Sequence, residues 1–281
     1  MSELHLVLAG FEFSISAPED VVSSLRHFYP RSLSPAAGAF PTEIPARRQF
    51  RLACTADGWS LSSNDQPLGV FARPDYALLA LEHQIETEVA AVDDGRIAIH
   101  AGAVETSKGA WLIAGNPDAG KTSSTFQLLQ LEQSFLCEEI ALYDPAQRAV
   151  HPYPQTPTLD RHYMDEFESR FPVQAGALHP VDETIVRFVP DRFSEGPVPL
   201  DLLLLPRFQP GKRAQVTELR PEEALTEMLG YCFPPGGGEE QLFDAMIDLL
   251  ENTPLLRATY GDLGQARDLY RNLLSDDRAS V

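Results

Sequence analysis

Residues 111–123 constrain this chain more than any other stretch. They read Trp111-Leu-Ile-Ala-Gly115-Asn116-Pro117-Asp118-Ala119-Gly120-Lys121-Thr122-Ser123. A short apolar run comes first, then G-x-x-x-x-G-K-[ST], then a segment of helical character. Strand before and helix after is the context that a phosphate-binding loop requires. Gly115 and Gly120 free the backbone to curl its N–H groups around an anion. The first turn of the following helix adds the positive end of its dipole. Lys121 is placed to reach the β- and γ-phosphates of a nucleotide, and the Thr122 hydroxyl to hold Mg2+. The candidate nucleotide site therefore runs from Gly115 through Ser123, with ATP and Mg2+ as the expected ligands.

Composition narrows the partners. The chain has 281 residues and a formal net charge of −19. That length holds one large domain or two small ones, and 43 % hydrophobic residues suffice for a packed core. Such acidity is the reverse of the basic face that nucleic acid selects, so no nucleic-acid partner is expected. ATP must be attracted locally, by the loop, Lys121 and a metal, rather than by the global field. No apolar run is long enough to span a bilayer and no basic-then-apolar leader opens the sequence. A cytoplasmic protein with no membrane contact is expected. Cys54, Cys137 and Cys232 are far apart, lack metal-ligand spacing, and read as small apolar residues in a reducing compartment.

Along the chain, residues 1–17 alternate about Gly10 and predict two strands or one bent strand. Pro18, Glu19 and Asp20 open a helix whose apolar stripe is Val21, Leu25 and Phe28. Residues 30–47 hold four prolines and predict a loop. Strands at 49–54, 59–62 and 68–71 form a meander before a long helix at 76–91. A strand at 97–104 and another at 110–114 make a hairpin directly ahead of the loop. In the commonest phosphate-loop folds the loop follows the first strand of a parallel sheet, so the antiparallel partner here predicts a mixed sheet. A helix at 121–131 and a strand at 134–137 follow, and right-handed crossover sets that strand parallel to and near the loop strand.

A hairpin over 140–153, a short helix near 162–171 and a buried strand at 198–205 ended by Pro206 come next; the rest of 152–200 has no clear period. A strand at 214–219 and a helix at 221–231 precede a glycine linker at 236–238. A helix at 239–251 buries Leu242, Met246 and Leu250. A strand at 255–260, a helix at 263–274 and a frayed tail from Ser275 complete the reading. Residues 1–92 form a small α+β region, a candidate module for substrate, partner or homo-oligomer contacts. Residues 93–281 form the α/β domain that carries the phosphate loop.

The strand at 134–137 ends at Glu138 and Glu139, on the sheet edge that also carries the loop, where ligands of such sheets bind. One acid can hold Mg2+ and the other can accept a proton from an acceptor hydroxyl. Neighbours in a strand point to opposite faces, so both contribute only if the chain bends there. His100 lies in the strand antiparallel to the loop strand, where it faces the phosphates or acids or is a packed histidine. Arg207, ending a buried strand, is a phosphate contact or a surface ion pair.

The run His100-Ala-Gly-Ala-Val, the loop from Gly115 to Thr122, and Leu136-Cys-Glu-Glu-Ile-Ala-Leu-Tyr-Asp144 together resemble the catalytic domain of the HPr kinase/phosphorylase family. The likeness is nearest to HPr-kinase-related branches that include lasso-peptide kinases. It covers residues 95–155 well and the rest of the C-terminal half more loosely. The resemblance implies the mixed-sheet fold of HPr kinase and phosphoenolpyruvate carboxykinase, and Mg-ATP-dependent phosphate transfer to a hydroxyl. By position it implies that Glu138 is the acid/base carboxylate, with glutamate in place of the family's aspartate. Glu139 becomes the second acid, at the metal with Thr122, while Lys121 and His100 act at the reacting phosphate. No counterpart of the family's Gly- and Arg-containing signature follows the acids. The expected function is a kinase acting on a hydroxyl, serine foremost, of a peptide, protein or small molecule. The alternative is a non-catalytic ATP-binding sensor or scaffold protein in a biosynthetic gene cluster.

Overall fold

The computed structural model describes residues 1–31, 48–91, 94–233 and 238–275. The loop expected at 30–47, most of the glycine linker and the tail lie outside the described residues. In chain order the elements begin with β1 (Ser2–Leu8), β2 (Phe11–Ala17), α1 (Glu19–Phe28), β3 (Arg48–Thr55), β4 (Gly58–Ser63), β5 (Gln66–Phe71) and α2 (Pro74–Ala90). Next come β6 (Ile97–Ile99), β7 (Ala101–Thr106), β8 (Gly109–Ala114), α3 (Lys121–Leu129), β9 (Ser134–Cys137), β10 (Ala141–Asp144) and β11 (Ala149–His151). They are followed by β12 (Thr158–Asp160), α4 (Arg161–Glu168), β13 (Gly176–Pro180) and β14 (Ile185–Pro190). The last are β15 (Val198–Phe208), β16 (Gln215–Glu218), α5 (Pro221–Leu229), α6 (Glu239–Asn252), β17 (Leu255–Tyr260) and α7 (Leu263–Ser275).

The architecture is mixed α/β. Strands β1-β2-β3-β4-β5 form one sheet in chain order. Its first hairpin turns at Ala9 (φ 53°) and Gly10 (φ 95°), the doubly left-handed turn whose twist matches that of its strands. Strand β3 joins β2 in parallel, so the meander starts only at β3; a parallel step needs a crossover, which contains α1. The large sheet runs β6-β10-β11-β15-β8-β7-β9, with β17 on β15 and β16 on β17. It is mixed, as expected: β8, β15 and β17 are parallel and β7 is antiparallel to β8 and to β9. Strand β9 is thus parallel in direction to β8, with β7 between them. A third sheet, β12-β14-β13, organises the 152–200 region whose strands the periodicity did not mark.

Both faces of the central strands are covered. Ala110, Leu112, Ala114, Leu203 and Leu205 belong to the core that also holds Leu4, Phe13, Leu25, Phe50, Leu81 and Ile85. Trp111, Ile113, Leu202 and Leu204 belong to a second core with Phe126, Phe167, Phe188, Tyr260 and Tyr270. Alternate residues therefore point into two apolar layers, which is why these strands read as unbroken apolar runs. The N-terminal sheet shares one core with the large sheet.

Three expectations change. The strand expected at 97–104 is two strands broken at His100, because β6 pairs with β10 while β7 pairs with β8 and β9. Pro206 does not end β15, which pairs with β17 through Phe208. Pairing with β8 stops at Leu204, so the missing Pro206 N–H deprives no ladder partner on that edge. On α6 the fully buried residues are Ala245, Met246, Leu249 and Leu250, with Leu242 only partly buried.

A buried polar cluster joins α2 to β14 of the third sheet. Arg187 (2 % exposed) pairs with Glu82 (4 % exposed) at 3.0 Å. Its Nη1 donates to the Thr156 carbonyl, and its guanidinium lies 3.7 Å over the Phe28 ring. Gln155 Nε2 donates to Glu82 and, at 2.8 Å, to Glu86. Burial, with help from the charges of Glu139 and Glu82, pushes the Glu86 carboxyl from 4.5 to about 7 against the Gln155 bond. Between those values the folded protein holds a proton that the unfolded chain releases, so stability falls as pH rises from about 4.5 to 7. Glu86→Gln keeps an oxygen for Gln155 and removes this slope. Urea melts are expected to find the variant more stable at pH 8 by about 2–3 kcal/mol, and near parity at pH 4.5.

Candidate functional site

The site assembles where β8, β9 and β15 end. Residues 115–120 link β8 to α3. Asp118 (φ 65°) and Gly120 (φ 99°) are left-handed, and a Cβ at Gly120 would lie 2.2 Å from Tyr260 Oη. Glycine is therefore required there for both backbone and space. The loop's carbonyls turn into the protein: Asn116 O accepts from Ala119 N, and Ala119 O accepts from Phe208 N, both at 3.0 Å. Gly120 O accepts from Ser124 N and Ser124 Oγ. The first amides of α3 have no intrahelical acceptor, so they are open to an anion. Asn116, Pro117 and Asp118 are exposed, Ala119, Gly120, Thr122 and Ser123 are partly buried, and Gly115 is buried.

His100 and the adjacent pair Glu138 and Glu139, each distant from it in sequence, meet at Lys121, which is 8 % exposed. Its Nζ lies 2.9 Å from His100 Nε2, 3.6 Å from Glu139 Oε2 and 3.4 Å from the Glu138 carbonyl. His100 Nε2 is also 3.0 Å from Glu139 Oε2. One ring nitrogen cannot accept from the lysine and donate to the carboxylate at once, so the imidazole tautomer decides which bond forms. The His100 backbone is held by its amide N–H, which donates to the Tyr231 carbonyl at 2.7 Å. Burial raises the Glu139 carboxyl, but the His100 bond and the Lys121 charge outweigh it and leave the pKa lowered.

The two acids are not equivalent. Strand β9 stops at Cys137 and the chain bends at Glu138 and Glu139, so both contribute to one site. Glu138 is 1 % exposed and neither carboxylate oxygen has a hydrogen-bond partner of regular geometry. Burial pushes it up to about 7; Lys121 and the nearby hydroxyls of Thr122 and Thr125 pull down, while Glu139 pushes up. Glu139 keeps 41 % of its side chain exposed. Gly102 on β7 makes the room for Glu138, since a Cβ there would stand 2.9 Å from Glu138 Oε2 and 2.3 Å from Thr125 Oγ1. Gly102→Ala is expected to displace Thr125 from the Lys121 carbonyl, which it bonds at 3.2 Å. A loss of about 1–3 kcal/mol in denaturant melts is expected.

The structure thus brings together Gly115–Ser123, His100, Glu138 and Glu139. Arg207 is exposed beside the loop and has no ion-pair partner among the described residues. Gly102, Thr125, Tyr231, Tyr260 and Tyr270 border the site without a local sequence signal, because each arrives from a different element. Among the described residues, no cluster of three or more His, Cys, Asp or Glu side chains could hold a metal ion. No described helix is long and apolar enough to cross a membrane.

No family model and no curated protein matches the chain. Among solved structures, the Hpr(Ser) kinase/phosphatase from Coxiella burnetii is similar over 63 % of this chain and 89 % of its own, at 11 % identity and a TM-score of 0.28.

Proposed function

We propose that this chain binds Mg-ATP at residues 115–123 and transfers the γ-phosphate to an acceptor hydroxyl. The observation that carries the reading is the pair of unlike carboxylates beside the loop lysine. Glu138 is a dry acid with two orphaned oxygens, close to Thr122, and that is the environment a cation would complete. Mg2+ in nucleotide sites is held by phosphates, waters and one or two side chains rather than by a protein cage, so Thr122 and Glu138 suffice. Held by Thr122 and Glu138, the ion would neutralise charge on the phosphates.

Glu139 is reachable from solvent and bonded to His100, which suits it to accept the acceptor's proton directly or through the imidazole. This exchanges the roles that the family resemblance implies for the two acids. The acceptor oxygen, relieved of its proton, attacks the γ-phosphorus, and the bond to the β–γ bridging oxygen breaks to release ADP. Lys121 and the loop amides stabilise charge on the phosphate oxygens.

Mg-dependent ADP release in the presence of candidate peptides, proteins and metabolites tests the reading. Glu138→Gln is expected to raise the Mg2+ concentration needed for half-maximal rate. Glu139→Gln is expected to lower kcat with that requirement unchanged. A second reading, nucleotide binding without transfer, draws support from the lowered Glu139 pKa, which makes a weak base. ATP binding by calorimetry with no ADP formed on any acceptor would select it. Absence of nucleotide binding would sink both.

A further inference from the structure

The amides of the phosphate loop face outward only if their carbonyls are held inward, because C=O and the next N–H are antiparallel within one peptide plane. Two such carbonyls are held by different parts of the fold. Ala119 O is taken by Phe208 N–H of β15, which turns the Gly120 N–H outward. Gly120 O is taken by a buried hydroxyl cluster, which turns the Lys121 N–H outward. Ser124 Oγ donates to Gly120 O at 2.6 Å. It lies 2.6 Å from Tyr270 Oη and 3.2 Å from Tyr260 Oη. Tyr260 Oη also reaches Gly120 O at 3.4 Å. Ser124 and Tyr270 are wholly buried and Tyr260 is 1 % exposed. The cluster has no access to solvent and no part in the chemistry.

We infer that Tyr270 and Tyr260 are positioning residues that preset the phosphate loop through Ser124, so that β17 and α7 set nucleotide affinity from behind the site. Ser124 hydrogen-bonds back to the residue four before it, an interaction that normally competes with a helix interior. At the helix start it adds a second donor to the carbonyl whose orientation matters. Tyr270 fixes the hydroxyl rotor by occupying the other side of Ser124 Oγ. The bare Cα of Gly120 lets the Tyr260 ring approach, as a Cβ there would meet its hydroxyl.

The inference rests on nucleotide binding at residues 115–123, and the test separates the two. Mg-ATP affinity is measured by calorimetry for the unmodified chain and for Tyr270→Phe, Ser124→Ala, the double variant and Tyr143→Phe. Tyr143 is a buried tyrosine remote from the loop. Tyr270→Phe is expected to weaken binding about five-fold, the worth of one neutral hydrogen bond. Ser124→Ala should weaken it at least as much, and the double variant no more than Ser124→Ala, because the tyrosine acts through the serine. Tyr143→Phe should match the unmodified chain. In turnover, KM for ATP rises by the same factor with kcat within two-fold, the pattern of lost uniform binding. Unchanged affinity in Tyr270→Phe, or additive losses in the double variant, overturns the inference while leaving the nucleotide site standing. Should Tyr270→Phe not fold, unchanged affinity in Ser124→Ala overturns it equally. No binding by the unmodified chain removes the nucleotide reading itself.

Discussion

Lys121→Ala is expected to cut Mg-ATP turnover about 10³-fold, equal to about 4 kcal/mol of transition-state stabilisation. The lysine is the cation in contact with Glu139 and the Glu138 carbonyl, and it alone can carry positive charge from the loop to the β- and γ-phosphates. Its burial makes the interaction stronger than the same charge would be at a surface. Removing it also takes away the cation that offsets the mutual repulsion of Glu138 and Glu139. Single-turnover phosphate transfer measures the chemical step, and calorimetry reports whether ATP still binds. A variant that keeps more than a tenth of the rate would remove Lys121 from the reaction. Lys121→Arg serves as the conservative control, because it keeps the charge in a larger, planar head.

Arg187→Ala carries the largest expected loss of stability. Arg187 and Glu82 are both nearly inaccessible, and taking away one partner strands the other charge in the interior, a loss of about 3–5 kcal/mol. Burial already raises the Glu82 carboxyl despite Arg187, so loss of the guanidinium raises it further and favours its protonated form. The Phe28 ring loses its cation, and the Thr156 carbonyl loses a donor. Replacing both charges, as Glu82→Leu with Arg187→Met, is expected to recover most of the stability, because an apolar pair of similar volume avoids the desolvation penalty. Denaturant midpoints of the single and double variants check this. A single variant within 1 kcal/mol of the unmodified chain would mean that the pair is solvated.

Local signals carried the elements well where one face is buried and turns are sharp. The alternation about Gly10 and the stripe of Val21, Leu25 and Phe28 appear where expected, and the hairpin before the loop is present with its first strand beginning at Ala101. The 152–200 region was illegible because β12 has three residues and β13 five. β12 pairs with β14 only across α4 and β13, and too few residues alternate to reveal a period. Pro206 misled for a related reason. Its effect depends on which edge its nitrogen faces, and that is decided by β8 stopping short.

The candidate site divides in the same way. The loop from Gly115 to Ser123 is a local object whose glycines, lysine and threonine act at fixed spacing, so the sequence by itself determined it. It also determined that Glu138 and Glu139 fall at the end of a strand on the same edge, since one crossover suffices to carry them there. Only the tertiary structure decided which acid is dry and which is reachable, because that depends on the bend after Cys137 and on the space left by Gly102. Only tertiary structure brought His100 between Lys121 and Glu139, through a strand break imposed by two sets of pairing partners. The Tyr260 and Tyr270 hydroxyls behind Gly120 come from elements about 140 and 150 residues further on. No short-range pattern encodes such contacts, because they exist only once β15 and β17 have paired and the second core has closed over α3.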